Sequence, residues 1–441
     1  MSVPCGLRTA LHGPVSMTVS VIDPGDLSLP PRLLDAFHRA ADCAVLAVVG
    51  GAVRDLLLHR VHRDPLRGLP DLDLVVELAP EADPADTRPP AHRLAETLLE
   101  DAPAAAVGFC QFHRAFGTVE LELDGILLDL ASARCETYPA PGENPVVCDG
   151  SLEQDLARRD FSINAMALVF TGSGSELRLL DPHGGGADLA RRQLRLLHGS
   201  SLEDDPTRIV RAARYAARLG FSLAPASLEQ LRATLARWPW GEASRGAGGV
   251  GGRVPPALGT RLRMELELLL EREPWEAALG ALQAWGALVL VDPALQADSG
   301  WRRRLRWARR CGLPSLAALL AASDAAPSVA MRLQLPHGQQ RLLAQLALLR
   351  QSWQALEATP STALAWTTFL ERPGWSAEAV ALALVSGALP RRPLLRWWCR
   401  WRHLPTPVSA AELIAAGLPP GPALGERLRE LRGERLREER L

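Results

Sequence analysis

The sequence predicts a small unit of mixed strands and helices, followed by a long region built from helices alone. Three observations predict this arrangement. Apolar runs typical of strands alternate with helix-like segments up to about residue 186, Leu- and Ala-rich segments with helical spacing follow, and the strand signal almost disappears there. With 441 residues the chain is too long for one ordinary core, and its length suggests two to four domains.

The first unit begins with the stretch PPRLLDAFHRAADCAVLAVVGGAVRDLLLHR, which predicts a helix, a strand, a glycine turn and a second helix. The strand AVLAVV runs directly into Gly50 and Gly51. The next strand contains LPDLDLVVE, residues 69 to 77, and HRLAETLLE predicts a further helix. TVELELDGILLDLASA then predicts two strands joined at Asp124 and Gly125, since Asp-Gly is a strong hairpin signal. These segments complete the predicted α/β unit.

The second region predicts amphipathic helices from about residue 187 to the C-terminus. One segment interrupts them, GEASRGAGGVGGRVPP at residues 241 to 256, whose Gly- and Pro-rich composition predicts a flexible loop between helices.

Composition indicates a folded protein, with 47% hydrophobic and 22% charged residues. The formal net charge of -1 argues against a uniformly basic surface. All the basic groups are arginines, since the chain has no lysine, so arginine abundance alone is no evidence of phosphate binding. Seven cysteines without CxxC pairs fit free thiols in a reducing compartment, and no apolar run reaches transmembrane length. We therefore expect a cytoplasmic protein with no membrane partner.

A glycine pair and an aspartate pair follow each other closely in the first unit. A Gly-Gly turn between a strand and a helix lets backbone N–H groups approach an anion such as phosphate. Asp71 and Asp73 lie two positions apart in a strand, so their carboxylates share one face and suit Mg²⁺ shared with substrate phosphates. Either motif alone is more often a plain turn or a solvated strand end. Their adjacency favours a metal-dependent site for phosphate chemistry.

A third carboxylate extends this hypothesis. Asp129, in ILLDLASAR, lies on the second strand of the predicted hairpin among apolar neighbours. Two interpretations are equally weighted: a catalytic acid beside the aspartate pair, or a strand-end aspartate that accepts backbone hydrogen bonds. Glu120 and Glu122 are alternatives, although their positions favour a solvent face.

The segment LARRDFSINAMAL, residues 156 to 168, places Arg158, Arg159 and Asp160 before a helix predicted to begin near Ser162. Arginine can bind a triphosphate through paired hydrogen bonds, and aspartate can accept one from a ribose hydroxyl. The alternative is a helix start stabilised by salt bridges.

LEDDPTRIVRAARYAARLGF, residues 202 to 221, predicts a helix whose first turn contains Pro206. Arg208, Arg211 and Arg214 follow at spacings of three and form one stripe on that helix. The carboxylate of Asp205 and the guanidinium of Arg208 offer acceptors and donors that match the Watson–Crick edge of a base. The protein would then act as its own template. The alternative is a capped helix with an ion pair between these two residues.

The ordered set GGAVRD, DLD, RRDFSINAMA, DPHGGGADL, DDPTRIVRAARYAARLGF and RLRMELELLL resembles the class II tRNA nucleotidyltransferase and poly(A) polymerase family, which includes bacterial CCA-adding, CC-adding and A-adding enzymes. The resemblance covers about residues 45 to 275, and LPPGPALGERLRELR, residues 418 to 432, resembles the family's tail. It implies an α/β nucleotidyltransferase (polymerase β-like) head followed by an all-α neck, body and tail. The implied division is a loose N-terminal extension (1–28), the head (29–186), a nucleotide-selecting neck (187–275) and a tRNA-binding body and tail (276–441).

The resemblance also implies a role for each matching position. The triphosphate site comprises Gly50, Gly51 and Arg54, and the metal-binding and catalytic pair is Asp71 and Asp73, with Asp129 as a further acid. The sugar and phosphate contacts are Arg158, Arg159, Asp160 and Asn164. The base-selecting stretch contains Asp205, Arg208, Arg211 and Arg214, supported by Arg261 and Glu265. The implied reaction is Mg²⁺-assisted transfer of C or A from CTP or ATP to the 3′ end of tRNA, with release of pyrophosphate.

The sequence departs from the family pattern in its loops. His59 stands where glycine is usual, VHRDPLRGLP before the DLD strand is long, and the Gly-rich segment is unusual. The resemblance leaves open whether the protein adds CCA, CC or A. Two alternatives are a poly(A) polymerase, which commonly has a long basic C-terminal tail unlike GERLREERL here, and a non-catalytic RNA-binding protein.

The C-terminal third contains the candidate tRNA contacts. PRRPLLRWWCRWRHL, residues 390 to 404, alternates arginines, Arg396 and Arg400 among them, with tryptophans that could stack on bases. Core packing of Trp397, Trp398 and Trp401 is the favoured interpretation.

A glycine-rich turn is the stronger candidate for a tRNA contact. Gly421 and Gly425 lie in PPGPALGE, where bare backbone amides near a helix N-terminus can reach a phosphate.

Overall fold

The structure, a computed structural model, describes residues 21–65, 71–78, 86–114, 116–172, 176–237 and 256–440. The chain forms two compact units. The first comprises the described residues up to Ala140, together with Pro145–Ser201 and Gly220–Ser227. The second comprises Pro141–Asn144, Leu202–Leu219 and the described residues from Leu228 onward.

The first unit contains most of the strands. The strands are β1 (Val21–Ile22), β2 (Ala44–Val49), β3 (Asp71–Leu78), β4 (Val107–His113), β5 (Thr118–Leu123), β6 (Ile126–Ser132), β7 (Arg134–Thr137), β8 (Val146–Asp149), β9 (Ala167–Phe170), β10 (Leu177–Leu180), β11 (Gln193–Leu194) and β12 (Ser222–Leu223). The accompanying helices are α1 (Pro31–Ala40), α2 (Gly51–His62), α3 (Pro90–Asp101), α4 (Leu152–Ala157) and α5 (Gly185–Ala190).

Eight strands form one sheet in the order β1-β10-β9-β2-β3-β6-β5-β4. The pair β3 and β6 is parallel, and the other neighbouring pairs are antiparallel. Helix α3 packs against β3, β5 and β6, and α2 packs against β2 and β3. β7 pairs with β8 in a separate two-stranded hairpin, and β11 pairs with β12.

Alternation along β3 explains how a core strand accommodates two charges. Leu72 and Leu74 are fully buried, whereas Asp71 and Asp73 are exposed on the other face. The predicted hairpin is also confirmed, because Asp124 and Gly125 have φ angles of 51° and 76° between β5 and β6. Two positive φ angles are the requirement of the tightest hairpin turns, which Asp-Gly satisfies at low cost.

The prediction that a helix begins near Ser162 is wrong. Ser162–Asn164 forms a single 3-10 turn. The apolar residues beyond this turn form β9, and all four residues of β9 are buried. From sequence alone, a short apolar run that is buried on both faces fits a strand or a helix equally well. Here the run pairs with β10 on one side and β2 on the other, and it is therefore a strand.

Ordered structure also begins before residue 29, where we predicted the loose extension to end. Val21 and Ile22 pair with β10, and Ile22 and Leu27 are almost completely buried. The first compact unit extends to Ser201, beyond the predicted head boundary at residue 186.

The second unit is helical. Its helices, including two at the division between the units, are α6 (Ser201–Asp204), α7 (Thr207–Leu219), α8 (Pro225–Arg237), α9 (Pro256–Arg272), α10 (Trp275–Ala284), α11 (Pro293–Ala297), α12 (Trp301–Arg310), α13 (Ser315–Leu320), α14 (Ala326–Arg332), α15 (His337–Gln354), α16 (Ala363–Leu370), α17 (Ala377–Ser386), α18 (Arg391–Cys399), α19 (Ala410–Ala415) and α20 (Pro422–Glu438).

Helix α7 packs against α9 and α10, α15 packs against α14 and α17, and α16 packs against α18 and α20. A mixed unit followed by helices is therefore confirmed as the order of the fold. The predicted loop at 241–256 lies outside the described residues except for Pro256, where α9 begins. None of the helices in the described ranges has the length and apolar character needed to cross a membrane.

Candidate active site

The glycine turn connects β2 to α2 at the edge of an acidic and basic cluster. Gly50 has φ of 71° and ψ of -129°, a conformation that strains any residue with a side chain. A Cβ atom there would lie 3.0 Å from Asp73 Oδ2 and 3.3 Å from Arg159 Nη1. No side chain caps the start of α2, so its first backbone N–H groups are available to an anion.

The three predicted aspartates lie on adjacent strands. In the parallel register of β3 and β6, Asp73 faces Asp129, while Asp71 is on the same face of β3 two positions earlier. On the next strand, Glu120 pairs with Asp129. A row of carboxylates, Asp73, Asp129 and Glu120, therefore crosses β3, β6 and β5.

Burial and crowding together raise the pKa of two of these carboxylates. Although the Asp73 residue is partly open to solvent, protein atoms surround much of its carboxyl group, and this burial raises its pKa above the ordinary value. Asp71 adds to the rise, and the nearby guanidinium groups of Arg159 and Arg54 oppose it. Burial also raises the pKa of Asp129, and the charges of Asp73, Glu120 and Asp71 raise it further. A row of like charges that repel each other is a site where a cation would be stabilised.

These oxygen donors fit a hard divalent cation. Asp71 and Asp73 present two carboxylates on one accessible face, the donor type that Mg²⁺ prefers. Within the part of the chain that the structure describes, no three His, Cys, Asp or Glu side chains converge closely enough to hold an ion by themselves.

Arg54, Asn164 and Asp160, all predicted site residues, form one buried hydrogen-bonded chain. Arg54 Nη1 donates to Asn164 Oδ1 at 3.0 Å, and Asn164 Nδ2 donates to Asp160 Oδ1 at 3.0 Å. Each of the three residues is less than a tenth exposed. This network ties the start of α2 to the turn that precedes β9.

Two arginines of the RRDF segment share a buried carboxylate that the sequence analysis missed. Asp155 on α4 is fully buried and accepts from Arg158 Nη2 at 2.6 Å and from Arg159 Nη2 at 2.9 Å. Arg158 also donates to Glu136 Oε1 at 3.0 Å. The spacings of three and four residues from Asp155 were a readable signal, since such pairs meet on a helix face. Asp155 and Glu136 therefore orient these two guanidinium groups.

In the second unit, Asp205 has two structural roles at the start of α7. Its Oδ1 atom accepts from the backbone N–H of Thr207 at 3.1 Å and from the Thr207 hydroxyl at 2.8 Å. The same atom lies 3.2 Å from Nη1 of Arg261 on α9. Arg208 is buried one position further along α7. The capping contact of that interpretation is therefore present, whereas the ion pair of Asp205 is with Arg261 instead of the predicted Arg208. Base reading by Asp205 and Arg208 stays a prediction.

Arg211 and Arg214, which we predicted to bind nucleotide, form ion pairs with α9. Arg211 Nη1 lies 3.1 Å from Glu265 Oε1, and Arg214 contacts both Glu265 and Glu273. Arg218 also donates to Glu273, whose side chain is almost completely buried. These contacts fix α7 against α9. A direct contact of Arg211 or Arg214 with nucleotide stays a prediction.

The candidate tRNA residues lie around α20. Gly421 immediately precedes α20 and Gly425 lies in its first turns, both with open space where a Cβ atom would be. Arg396 donates to the carbonyl of Arg440, and Arg400 Nη2 lies 2.7 Å from Glu439 Oε1, so both arginines hold the end of α20.

The tryptophans of the same segment are mainly structural. Trp397 and Trp401 are buried, as the favoured interpretation predicted. The third, Trp398, stacks under Arg402, whose guanidinium carbon lies 3.6 Å from the ring centre.

The chain is similar to known proteins over most of its length. Residues 46–195 match the family described as Poly A polymerase head domain. A CC-adding tRNA nucleotidyltransferase from Deinococcus radiodurans is 36% identical over 412 residues, which cover 91% of this chain and 88% of that protein. A CC-adding tRNA nucleotidyltransferase from Geobacter sulfurreducens is 32% identical, covering 87% and 86% of the two chains.

Solved structures share the whole fold. A CCA-adding enzyme in apo form II has a TM-score of 0.67 at 24% identity, covering 95% of this chain and 96% of its own. A Thermotoga maritima CCA-adding enzyme complexed with tRNA has a TM-score of 0.64 at 23% identity, covering 96% and 97%.

The matching head-domain family, the relatives and the fold define a nucleotidyltransferase. The chain belongs to the tRNA nucleotidyltransferase and poly(A) polymerase family. The resemblance carried by the sequence motifs is confirmed, as is the nucleotidyltransferase head followed by a helical region.

Proposed function

We propose that this protein is a CC-adding enzyme, which transfers two C residues from CTP to the 3′ end of tRNA and stops before A. One observation carries the proposal over the alternatives. Two CC-adding relatives, from Deinococcus radiodurans and Geobacter sulfurreducens, align over almost the whole chain, with 91% and 87% coverage, whereas a third, from Halalkalibacterium halodurans, aligns over 42%. The A-adding relative from Aquifex aeolicus aligns over 45% of this chain and 21% of its own.

The catalytic carboxylates would bind Mg²⁺. Asp71 and Asp73 are the proposed ligands, because they present oxygen donors on one accessible face of β3. When bound, Mg²⁺ supplies Lewis-acid stabilisation of the charge that develops during transfer. Asp129, register partner of Asp73, is the proposed acceptor of the proton from the tRNA 3′-hydroxyl, because its carboxylate lies beside the aspartate pair. The hydroxyl oxygen bonds to the α-phosphorus of CTP as the bond to pyrophosphate breaks.

The glycine turn and the arginines would bind the triphosphate. The first backbone N–H groups of α2, beginning with that of Gly51, would face the anion at the start of the helix. Arg158 and Arg159, oriented by Asp155, add positive charge beside them. Arg54 contributes through its contact with Asn164.

The second unit would select the nucleotide. Asp205 and Arg208 are the proposed readers of the base edge, and Arg261 positions the Asp205 carboxylate. Asp160 and Asn164, in the first unit, are the proposed contacts to the sugar. We further propose a cytoplasmic location, which suits the free thiols of the six described cysteines and a tRNA substrate.

Extension of matched tRNA transcripts would test the activity. The transcripts end before CCA, after C and after CC, and each is incubated with Mg²⁺ and with CTP, ATP or both. We expect two C residues on the shortest transcript, one on the next and none on the third, resolved at single-nucleotide length. Addition of A to CC ends would contradict the proposal in favour of CCA or A addition. Long A tracts would indicate a poly(A) polymerase, and no extension would leave a non-catalytic RNA-binding protein.

A further inference from the structure

Two cysteines lie directly opposite each other on the β7–β8 hairpin. The strand register pairs Cys135 with Cys148. Residues directly opposite in antiparallel strands project from the same face of the sheet. Cys148 is exposed, Cys135 is half-buried, and both are free thiols. A small oxidant can therefore reach a reduced dithiol at this position.

The backbone spacing suits a disulfide that is easily reduced. Opposite Cα atoms in antiparallel pairs lie about 4.5 to 5.5 Å apart, within the ~4.4–6.8 Å that a disulfide spans. The N–H of Gly150 donates to the carbonyl of Ala133 at 3.1 Å. Ala133 lies two positions before Cys135, and Gly150 lies two positions after Cys148. Because bonded and non-bonded pairs alternate, Cys135 and Cys148 are a hydrogen-bonded pair, the wider kind. A disulfide there would be exposed to solvent through Cys148, and exposed disulfides are readily reduced.

The hairpin is connected to both ends of α4. β8 continues through Gly150 into α4, whose first turn is capped by Ser151. A Cβ atom on Gly150 would lie 2.7 Å from the backbone nitrogen of Cys135, so this junction is tightly packed. At the other end of α4, Arg158 donates to Glu136, which is the neighbour of Cys135 on β7. A new covalent bond at the cysteines therefore restrains the strand that carries Glu136 and, through Glu136, acts on Arg158.

We infer that Cys135 and Cys148 form a reversible disulfide under oxidising conditions, and that this bond weakens nucleotide binding by displacing Arg158. The second half of the inference rests on the proposed function, in which Arg158 contacts the nucleotide.

The chemistry balances with a peroxide as the oxidant. One thiolate attacks hydrogen peroxide and becomes a sulfenic acid, releasing hydroxide that takes up the thiol proton as water. The second thiol then attacks the sulfenic sulfur, forming the S–S bond and releasing a second water. The two sulfurs lose two electrons in total, and one peroxide gains them. A thiol reductant reverses the step by disulfide exchange.

Two other cysteines are poorer targets for the same oxidant. Burial raises the pKa of the Cys110 thiol, and burial also raises the pKa of Cys311. A higher pKa lowers the thiolate fraction, which is the reactive form. Cys43 is exposed and provides a matched control, since it is a surface thiol of the same unit.

Peptide mapping after oxidation would test the disulfide. The full chain is treated with hydrogen peroxide, digested without reductant and analysed by mass spectrometry, beside the variants Cys148→Ser and Cys43→Ser. We expect a peptide pair joined through Cys135 and Cys148, lighter by two hydrogens, in the wild type and in Cys43→Ser. Free or over-oxidised thiols at these positions, with no cross-link, would overturn the inference.

Two functional readouts accompany the map. Hydrogen exchange across α4 and Arg158 should change on oxidation and recover with dithiothreitol. The KM for CTP should rise roughly tenfold, the size of one lost charge-assisted contact, and Cys148→Ser should not respond. A cross-link that leaves both α4 exchange and KM unchanged would overturn the link to Arg158. A reduced protein that extends no tRNA would contradict the proposed function, while the map and the exchange still decide the inference.

Discussion

Asp73 and Asp129 face each other across two parallel strands, and the pKa of each is raised above its ordinary value. Burial is the main cause for both, and carboxylate neighbours add to it. Ionised carboxylates at these two positions therefore destabilise the folded protein when no metal is bound. The proposed Mg²⁺ would offset this charge, because a bound cation favours the ionised form of neighbouring carboxylates.

Asp73→Asn is expected to separate stability from activity. Nucleotide transfer should fall by roughly three orders of magnitude or more, because the proposed metal site loses a charged ligand. In a metal chelator at neutral pH, the melting temperature should rise, because one of the mutually repelling charges is gone. Single-turnover extension and thermal unfolding measure the two effects.

The control for this prediction is Glu122→Gln, on β5, which β6 separates from β3. Glu122 is not among the groups that raise the pKa of Asp73. It should leave both activity and melting temperature close to wild type. Full activity of Asp73→Asn at saturating Mg²⁺ would refute the metal assignment.

Asp205→Asn is expected to change nucleotide choice while keeping α7 intact. Asparagine at this position can still accept the hydrogen bond from the Thr207 N–H and so cap α7, since Asn and Asp are both favoured as helix caps. The amide loses the charge that pairs with Arg261 and offers a donor as well as an acceptor to the base. Discrimination between CTP and other nucleotides should fall about a hundredfold, measured as the ratio of kcat/KM values.

Asp204→Asn, one position earlier, is the matched control for Asp205→Asn and should leave discrimination unchanged. If Asp205→Asn keeps wild-type selectivity, the residue serves only as a helix cap and a partner of Arg261.

Local signals were sufficient to predict several parts of the site. The strand AVLAVV, the Gly50 turn and α2 follow from apolar patterning and from a glycine that must adopt positive φ. The face shared by Asp71 and Asp73 follows from strand alternation. These features depend on residues within one or two elements of each other, which is the range over which sequence patterns carry structural information.

Other parts required the fold. Asp73 and Asp129 are adjacent because β6 lies in parallel beside β3, a pairing that neither segment encodes. Arg158 is bound by Glu136, 22 positions away. The pattern around Ser162 predicts a helix because the short apolar run beyond it fits a helix and a strand equally well, and pairing within the sheet makes that run a strand.

Glu273→Gln is expected to destabilise the second unit strongly. Its buried carboxylate receives Arg214 and Arg218, and Arg214 is itself almost buried. Removing the charge leaves Arg214 without one of its two carboxylate partners, at a cost of about 3 kcal/mol in the free energy of unfolding. Urea denaturation measures the loss.

Arg218→Gln is the comparison, because Arg218 is 42% exposed and water can replace its contact. Its cost should be about 1 kcal/mol or less. Equal stability of Glu273→Gln and wild type would show that the network contributes little to packing α7 against α9.

Gly425→Glu is expected to weaken tRNA binding without unfolding α20. Gly421 is a poorer test position, since its φ of 152° strains any side chain, whereas Gly425 lies inside the helix with open space around it. A carboxylate near the uncapped N-terminus would repel a phosphate that the backbone amides attract, and tRNA affinity should fall about tenfold with KM for CTP unchanged. Gly338→Glu is the matched control, because Gly338 lies in the first turn of α15 with equally open space. Equal losses of affinity in the two variants, or none in Gly425→Glu, would remove the start of α20 from the tRNA-binding surface.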